Sequence, residues 1–434
     1  MKKAIIIGSG FGGLSLAIRL QADNWDVEIY EKNELIGGHA YQFIKNGYTF
    51  DMGPSLITAP QIIEDIFKAG GKKLNDYVNL IPLNPFYRIY FHDKTYIDYS
   101  GDSQSMKDQM SKFNIKDADN YDIFIENSRL IYEEVIDKKL GAEPFIKIST
   151  MIKFIPRALK IKAFYSAYGL ASKYFEDFRH RFMFSFHPLF IGGNPFRVPA
   201  IYLMISYLEK KGGVWFTEGG MYSLVNAFKK LFLELGGKIF TNSPVEKIII
   251  ENNTAKGIII NGQKIYSDIV VSNADVTYTY NTLINEKNKW NGAKKQKIKY
   301  SMGTVVIYLG VKKKYPQLLH HTLILSHRYK ELVSDIFDNH VLPDDFSMYL
   351  HVPTRTDPKM APEGAESIYI LIPVTNQLSK IDWSIEGRKF VNKVINFLEA
   401  DFDLVDLRKN IEVEEYITPE DFEKMRNSYL GTPW

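Results

Sequence analysis

Short apolar runs separated by glycine turns dominate the first fifty positions. Residues 4–7 (AIII) form a four-residue apolar run, the length of a buried strand. Beyond the glycines, Leu14, Ala17, Ile18 and Leu20 recur at helical spacing, and Val27, Ile29 and Tyr30 mark a second strand ending on Glu31. Residues 79–100 alternate aromatic and polar side chains in the manner of a hairpin. From 103 to about 184, apolar positions recur every three or four residues, which predicts helices. Residues 221–235 predict a further helix, closed by Gly236 and Gly237 and followed by a strand; residues 242–275 read as a β-meander. The sum is a mixed α/β chain whose first unit opens strand, glycine turn, helix, strand.

The glycine turn carries candidate chemistry. Gly8, Ser9, Gly10, Phe11, Gly12 and Gly13 spell G-x-G-x-x-G between a strand and a helix. In that setting the first glycine permits the tight turn, the second lets a pyrophosphate approach the backbone, and the third lets helix and strand pack closely. The helix N-terminus then offers free N–H groups to an anion. Glu31 stands at the distance expected of a ribose-binding acid, followed by Lys32. These features predict a dinucleotide site, and NAD and FAD both fit them. Gly37 and Gly38 add a second glycine turn, which reads either as another backbone approach to the same cofactor or as an ordinary hairpin turn.

Composition narrows the class. The chain has 434 residues, enough for two or three domains, and its 45% hydrophobic and 24% charged content suits a globular protein. With no cysteine, thiolate chemistry and Cys-ligated metals are excluded. A net charge of +3 gives no reason to expect nucleic acid as a partner. The 28 Phe and 27 Tyr suit either a greasy binding site or an aromatic core. The opening apolar run is too short for a signal peptide, and no stretch is long and regular enough to span a bilayer. A cytoplasmic protein that touches a membrane surface is expected. Residues 144–175 contain no acid, yet they hold Lys147, Lys153, Arg157, Lys160, Lys162 and Lys173 among bulky apolar side chains, with Pro156 expected to break the stretch into pieces. Such a segment fits a helix lying among lipid headgroups, or a lid helix whose lysines face water. His320 and His321 are adjacent; on a strand they would point to opposite faces, so no metal site is predicted.

Several blocks resemble the carotenoid desaturase family, the bacterial and fungal phytoene desaturases within the wider flavin amine oxidase-like group. They are Gly37, Gly38, His39 and Ala40; Phe50, Asp51, Gly53, Pro54 and Ile57; Phe184 to His187; Gly192 to Phe196; Gly212 to Phe216; and Gly219 to Met221. Matches continue in order through 301–376 and into the final block. His39 stands where the family usually has an Arg near the flavin and its phosphates; a neutral imidazole offers fewer donors and no fixed charge. The resemblance implies a discontinuous Rossmann-like FAD-binding domain (1–75 and 218–275), a substrate-domain sheet (76–102 and 276–434) and a helical, membrane-facing lid (103–217). It implies FAD held by Gly8, Ser9, Gly10, Phe11, Gly12, Gly13, Glu31, Lys32, Gly37, Gly38, His39, Ala40, Gly53 and Pro54. Val245 would lie by the adenine and Asn273 at a strand end beside the cofactor.

The implied reaction is desaturation of a C40 or C30 polyene by hydride transfer to flavin, with a quinone or oxygen as final acceptor. The same fold also admits a redox-neutral carotenoid isomerase, and a lipid-binding fragment without activity is a third expectation. Asp51 and His187 lie in matched motifs but read as structural, leaving the catalytic acid and base unassigned. By the same resemblance, "NSYLGTPW" reads as a cut edge before a closing Gly-rich strand, turn and helix. Weak FAD binding and an exposed apolar face on the first domain are then expected.

Overall fold

A computed structural model describes residues 1–142, 146, 148–284 and 298–434. Its nucleotide-type unit is built on a four-stranded parallel sheet in the order Ile269–Ser272, Lys3–Ile7, Asp26–Tyr30, Lys238–Phe240. A parallel sheet is covered on both faces, so its strands read as continuous apolar runs. Side chains alternate between the faces. Ala4, Ile6, Val27 and Ile29 meet Leu14, Ala17 and Ile18 of helix Phe11–Ala22 and Leu224, Val225 and Phe228 of helix Met221–Glu234. Ile5, Ile7 and Tyr30 face the opposite way, onto Val245, Ile248, Ile258 and Ile260. Ile248, Ile258 and Ile260 come from an antiparallel meander, Lys247–Glu251, Thr254–Ile260 and Gln263–Tyr266.

The second unit is a seven-stranded sheet, in the order Ile411–Ile417, Gly303–Val311, Glu366–Val374, Met348–His351, His321–Ile324, Tyr87–Tyr90, Tyr96–Tyr99. Each pair is antiparallel except His321–Ile324 with Tyr87–Tyr90. Strand Leu80–Leu83, expected in the same hairpin, instead pairs with Val214–Thr217 and so closes the base of the helical region between them. On one face of the large sheet, Val305, Ile307 and Leu309 pack against Phe390, Val391, Val394 and Leu398 of helix Trp383–Ala400. On the other, Val306, Tyr308, Tyr349 and Tyr369 join an aromatic core reached by Tyr48 and Phe50 of the hairpin Gln42–Lys45 and Tyr48–Asp51. A Cβ placed on Gly310 would come within 2.7 Å of the Tyr48 ring. That bare backbone lets the hairpin lie flat on the sheet.

The helical region runs through Ser103–Ser111, Ile115–Tyr132, Ile148–Lys160, Ala167–Ala171, Phe178–Met183 and Met204–Gly212. Side-chain caps start several of these helices: Asp102 accepts from the Ser105 N–H at 2.6 Å and Asn114 from the Asp117 N–H at 3.1 Å. Pro156 does not divide its segment, contrary to the sequence expectation, for helix Ile148–Lys160 runs through it. Proline removes only one ladder bond, and the turn that follows is anchored from outside: Arg157 Nε donates to Glu134 at 2.9 Å, and Lys160 and Lys138 pair with the same carboxylate. Met151, Ile152, Ile155 and Leu159 share the opposite, exposed stripe. Pro144, Phe145 and Lys147 of the acid-free stretch lie outside the described residues. Among the described residues no helix is long and apolar enough to cross a membrane.

Replacing Gly310 by Val should force the Tyr48 hairpin off the sheet and cost about 1–3 kcal/mol, as overpacking usually does. A lower thermal midpoint by circular dichroism is expected; an unchanged one would show that the hairpin retreats freely.

Candidate functional site

A cleft of about 530 Å³ opens where the strand ends of the parallel sheet meet the last residues of the chain. Its floor is the glycine turn. The Gly8 N–H donates to the Tyr30 carbonyl at 2.8 Å, continuing the pairing of the first two strands, and Gly8 at φ +91° turns the chain out of the first strand. Helix Phe11–Ala22 then starts at Gly10 with no side-chain cap, so its first N–H groups remain open to an anion. Gly37 and Gly38 lie directly against this turn: the Gly37 N–H donates to the Ser9 carbonyl at 3.0 Å. A Cβ on Gly38 would come within 3.0 Å of the Gly10 Cα. The second glycine turn therefore packs backbone to backbone on the first.

Gly8, Ser9, Gly10, Phe11, Glu31, Lys32, Gly37, Gly38, His39, Ala40, Pro54, Val245 and Asn273 all line the cleft. Gly12, Gly13 and Gly53 stand behind it. A Cβ on Gly12 would meet the Asn273 side chain at 2.6 Å, one on Gly13 the Gly8 carbonyl at 2.3 Å, and one on Gly53 the His39 carbonyl at 2.1 Å. These three allow close packing of the walls.

Glu31 is more occupied than its motif suggests. One oxygen accepts from Ser9 N–H at 3.0 Å and Ser9 Oγ at 2.6 Å; the other accepts from Asn33 N–H at 3.0 Å and Asn33 Nδ2 at 3.1 Å. Its four acceptor positions are filled, so it ties the glycine turn to the end of the second strand, and a sugar hydroxyl there competes with these donors.

His39 is half-buried beside Arg426, and desolvation first, then that guanidinium, holds its imidazole down at about 4. The neutral ring leaves the positive charge to others. Arg426 lines the cleft and stacks over the Tyr41 ring at 3.7 Å. Lys32 donates to Asn427 Oδ1 at 2.8 Å, and burial lowers its pKa. Arg426, Asn427, Ser428 and Thr432 to Trp434 form a wall that sequence reasoning did not assign, as did Asp275, Tyr278 and Leu283. Local spacing gives no signal for a wall supplied from 395 residues away along the chain.

The motif acids and histidines resolve into supports. Asp51 is buried and accepts the Met221 N–H at 2.8 Å and Gln42 Nε2 at 3.1 Å, capping helix Met221–Glu234. Burial pushes its carboxyl up to about 6 against those hydrogen bonds. His187 pairs with Glu209 at 3.0 Å, and Tyr87 donates to the other oxygen of Glu209; the three side chains are buried together away from the cleft.

One expectation is corrected by the fold. His320 precedes strand His321–Ile324 rather than lying in it, so its ring is not bound to the strand's alternation. It turns to the same side as its neighbour: the rings of His320 and His321 stand 4.5 Å apart, and His351 joins them.

Comparison with known proteins supplies the class. Residues 11–382 match the family described as flavin containing amine oxidoreductase. The chain is 38% identical over 436 residues to a lycopene-forming phytoene desaturase of Pseudescherichia vulneris, covering 100% of this chain and 88% of that relative. It is 31% identical to a 4,4'-diapophytoene desaturase (4,4'-diapolycopene-forming) of Methylomonas, covering 99% and 84%. The crystal structure of an oxidoreductase from Methanosarcina mazei superposes with a TM-score of 0.65 over 96% of this chain and 88% of that one; at 18% identity this likeness speaks for the fold alone.

The raised Asp51 pKa gives a signed prediction. Its folded value of about 6 exceeds the ordinary 3.8, so the folded state binds the extra proton between them. Asp51 therefore favours folding at the acid end of that window, and the benefit is lost as pH rises through about 6. Asp51→Asn, which cannot ionise, should flatten that part of the curve: the thermal midpoint difference between wild type and variant should change from pH 4 to pH 6.5. A constant difference would show that Asp51 does not titrate there.

Proposed function

Because this chain belongs to the flavin-containing amine oxidoreductase family and, within it, to the phytoene desaturases, we propose that it performs FAD-dependent desaturation of a carotenoid precursor, phytoene or its C30 counterpart diapophytoene. The observation that carries the reading is the backbone contact of Gly10 with Gly37 and Gly38 at an uncapped helix N-terminus. A cradle without Cβ atoms, beside open N–H groups, fits a pyrophosphate. We assign the phosphates of FAD to Gly8 through Phe11, with Lys32 and Arg426 supplying cationic charge and Val245 the adenine side. The chemistry FAD supplies when bound is acceptance of a hydride from the substrate.

The chain's own part is to bind, orient and keep dry. A hydrocarbon offers no charge for a salt bridge, so an apolar surface must hold it. The aromatic core between the large sheet and the helical region has that character; it includes Tyr87, Tyr99, Phe184, Phe186, Tyr308 and Tyr349. We assign 1–75 with 218–275 to the cofactor, 103–217 to a lid and 76–102 with 276–434 to the substrate sheet, the last segment's Arg426 to Trp434 reaching over to wall the cofactor cleft. The exposed stripe Met151, Ile152, Ile155 and Leu159 suits a lipid surface, from which such a substrate would arrive. A quinone or oxygen would accept the electrons in turn.

Purified protein supplied with FAD and phytoene in liposomes should develop new absorption bands in the visible as conjugation lengthens. Absence of any longer polyene from phytoene and diapophytoene alike would overturn the assignment. Gly10→Val should lower FAD affinity at least tenfold, about 1.4 kcal/mol, by equilibrium dialysis with folding checked by circular dichroism. The double variant Ile152→Asp/Ile155→Asp should lose cosedimentation with phosphatidylcholine vesicles while keeping its flavin content; undiminished sedimentation would remove this helix from the membrane contact.

A further inference from the structure

Three histidines meet inside the large sheet, away from the nucleotide cleft. His321 begins strand His321–Ile324, and His351 ends strand Met348–His351 directly opposite it in the antiparallel register. Directly opposed residues share a face. His320 enters from the preceding loop, its backbone held by the Val352 N–H at 2.8 Å. One nitrogen from each ring lies within 4.8 Å of the others, and the Nε2 atoms of His320 and His351 are 3.2 Å apart. Two tetrahedral ligands at about 2.05 Å from a metal stand about 3.4 Å apart. That pair therefore already has ligand spacing, and the third ring needs to close by up to about 1.4 Å.

The outer nitrogens are fixed in the manner of metal-binding imidazoles. His320 Nδ1 bonds Thr356 Oγ1 at 2.6 Å, and His321 Nδ1 bonds the Tyr349 hydroxyl at 2.7 Å. Tyr349 is held in turn by Ser55 Oγ at 2.6 Å. If each of these Nδ1 atoms is the donor, its ring presents the Nε2 lone pair inward, and a metal would displace the proton shared between His320 Nε2 and His351 Nε2. His321 is fully buried, yet its Nε2 has no hydrogen-bond partner. An unpartnered buried nitrogen is costly and calls for an explanation.

We propose that His320, His321 and His351 bind one first-row transition-metal ion of the zinc type through three neutral imidazoles, pinning the loop before strand His321–Ile324 to the end of strand Met348–His351. All three rings are buried, as ligands of an enclosed ion are. The set holds no carboxylate, which favours zinc, copper or nickel over magnesium or calcium. Three imidazoles leave the fourth tetrahedral position for water.

The test uses the whole chain, stripped with chelator and then titrated with ZnCl₂ or CoCl₂. One equivalent should remain after desalting, by mass spectrometry of the metal, and the thermal midpoint should rise with Zn²⁺. The Co²⁺ form should show visible d–d bands and three hyperfine-shifted exchangeable imidazole N–H proton resonances. The double variant His321→Gln/His351→Gln should lose the equivalent. His92→Gln, which removes one of the edge-to-face surface pair His92 and His327, should keep it. Equal retention by wild type and the double variant, or loss in His92→Gln, overturns the site. Should the double variant not fold, the wild-type Co²⁺ spectrum decides alone: absence of shifted imidazole resonances overturns it.

Discussion

One buried carboxylate sets how the two halves of this molecule meet. Asp51 ends the hairpin that lies on the large sheet, and it caps the helix that covers the parallel sheet. The cap works because Gly220, at φ +90°, brings bare backbone so close that any Cβ there would fall within 2.7 Å of the carboxylate. The same hairpin continues from Gly37 to Ala40, which rest on the glycine turn of the first strand. Cleft floor, covering helix and large sheet are thus registered against one another by a short stretch of chain. Burying a carboxylate is costly unless hydrogen bonds offset it. Here an N–H from the helix start and the Gln42 amide do so.

Much of this was legible in the sequence, and the reason is locality. A tight turn, a helix start and a close backbone approach each demand glycine at a fixed spacing, so Gly8, Gly10, Gly13, Gly37 and Gly38 announced the cleft. Apolar periodicity likewise announced the helix beginning at Met221 and the meander behind the parallel sheet. What was not legible depends on distance along the chain. Arg426 takes a place beside a neutral His39 that no motif connects to it. Glu31 was read from its spacing as a free acceptor, whereas Ser9 and Asn33 use its lone pairs. Pro156 was read as a break because propensity ignores the outside anchor at Glu134. His320 was assigned a strand's alternation although the strand begins one residue later.

The site also separates charge from grease. The cations that line the cleft, Lys32 and Arg426, are held by Asn427 and Tyr41, while the neighbouring carboxylate of Glu31 takes its hydrogen bonds from Ser9 and Asn33. The buried acids Asp51 and Glu209 are each spent on structural partners instead. In a protein whose ligand pair combines a polyanionic cofactor with a hydrocarbon, that division keeps ionised groups at one end and an aromatic interior at the other.

Glu134 has a similar consequence for the helix Ile148–Lys160. It gathers Lys138, Arg157 and Lys160 on one side of the helix, while Lys162 and Lys173 lean over the rings of Tyr174 and Tyr165. Among the described side chains, the exposed stripe Met151, Ile152, Ile155 and Leu159 is hydrocarbon. Adhesion through that stripe would be driven by the area of oil it buries, largely indifferent to ionic strength and to the headgroup charge of whatever it lands on.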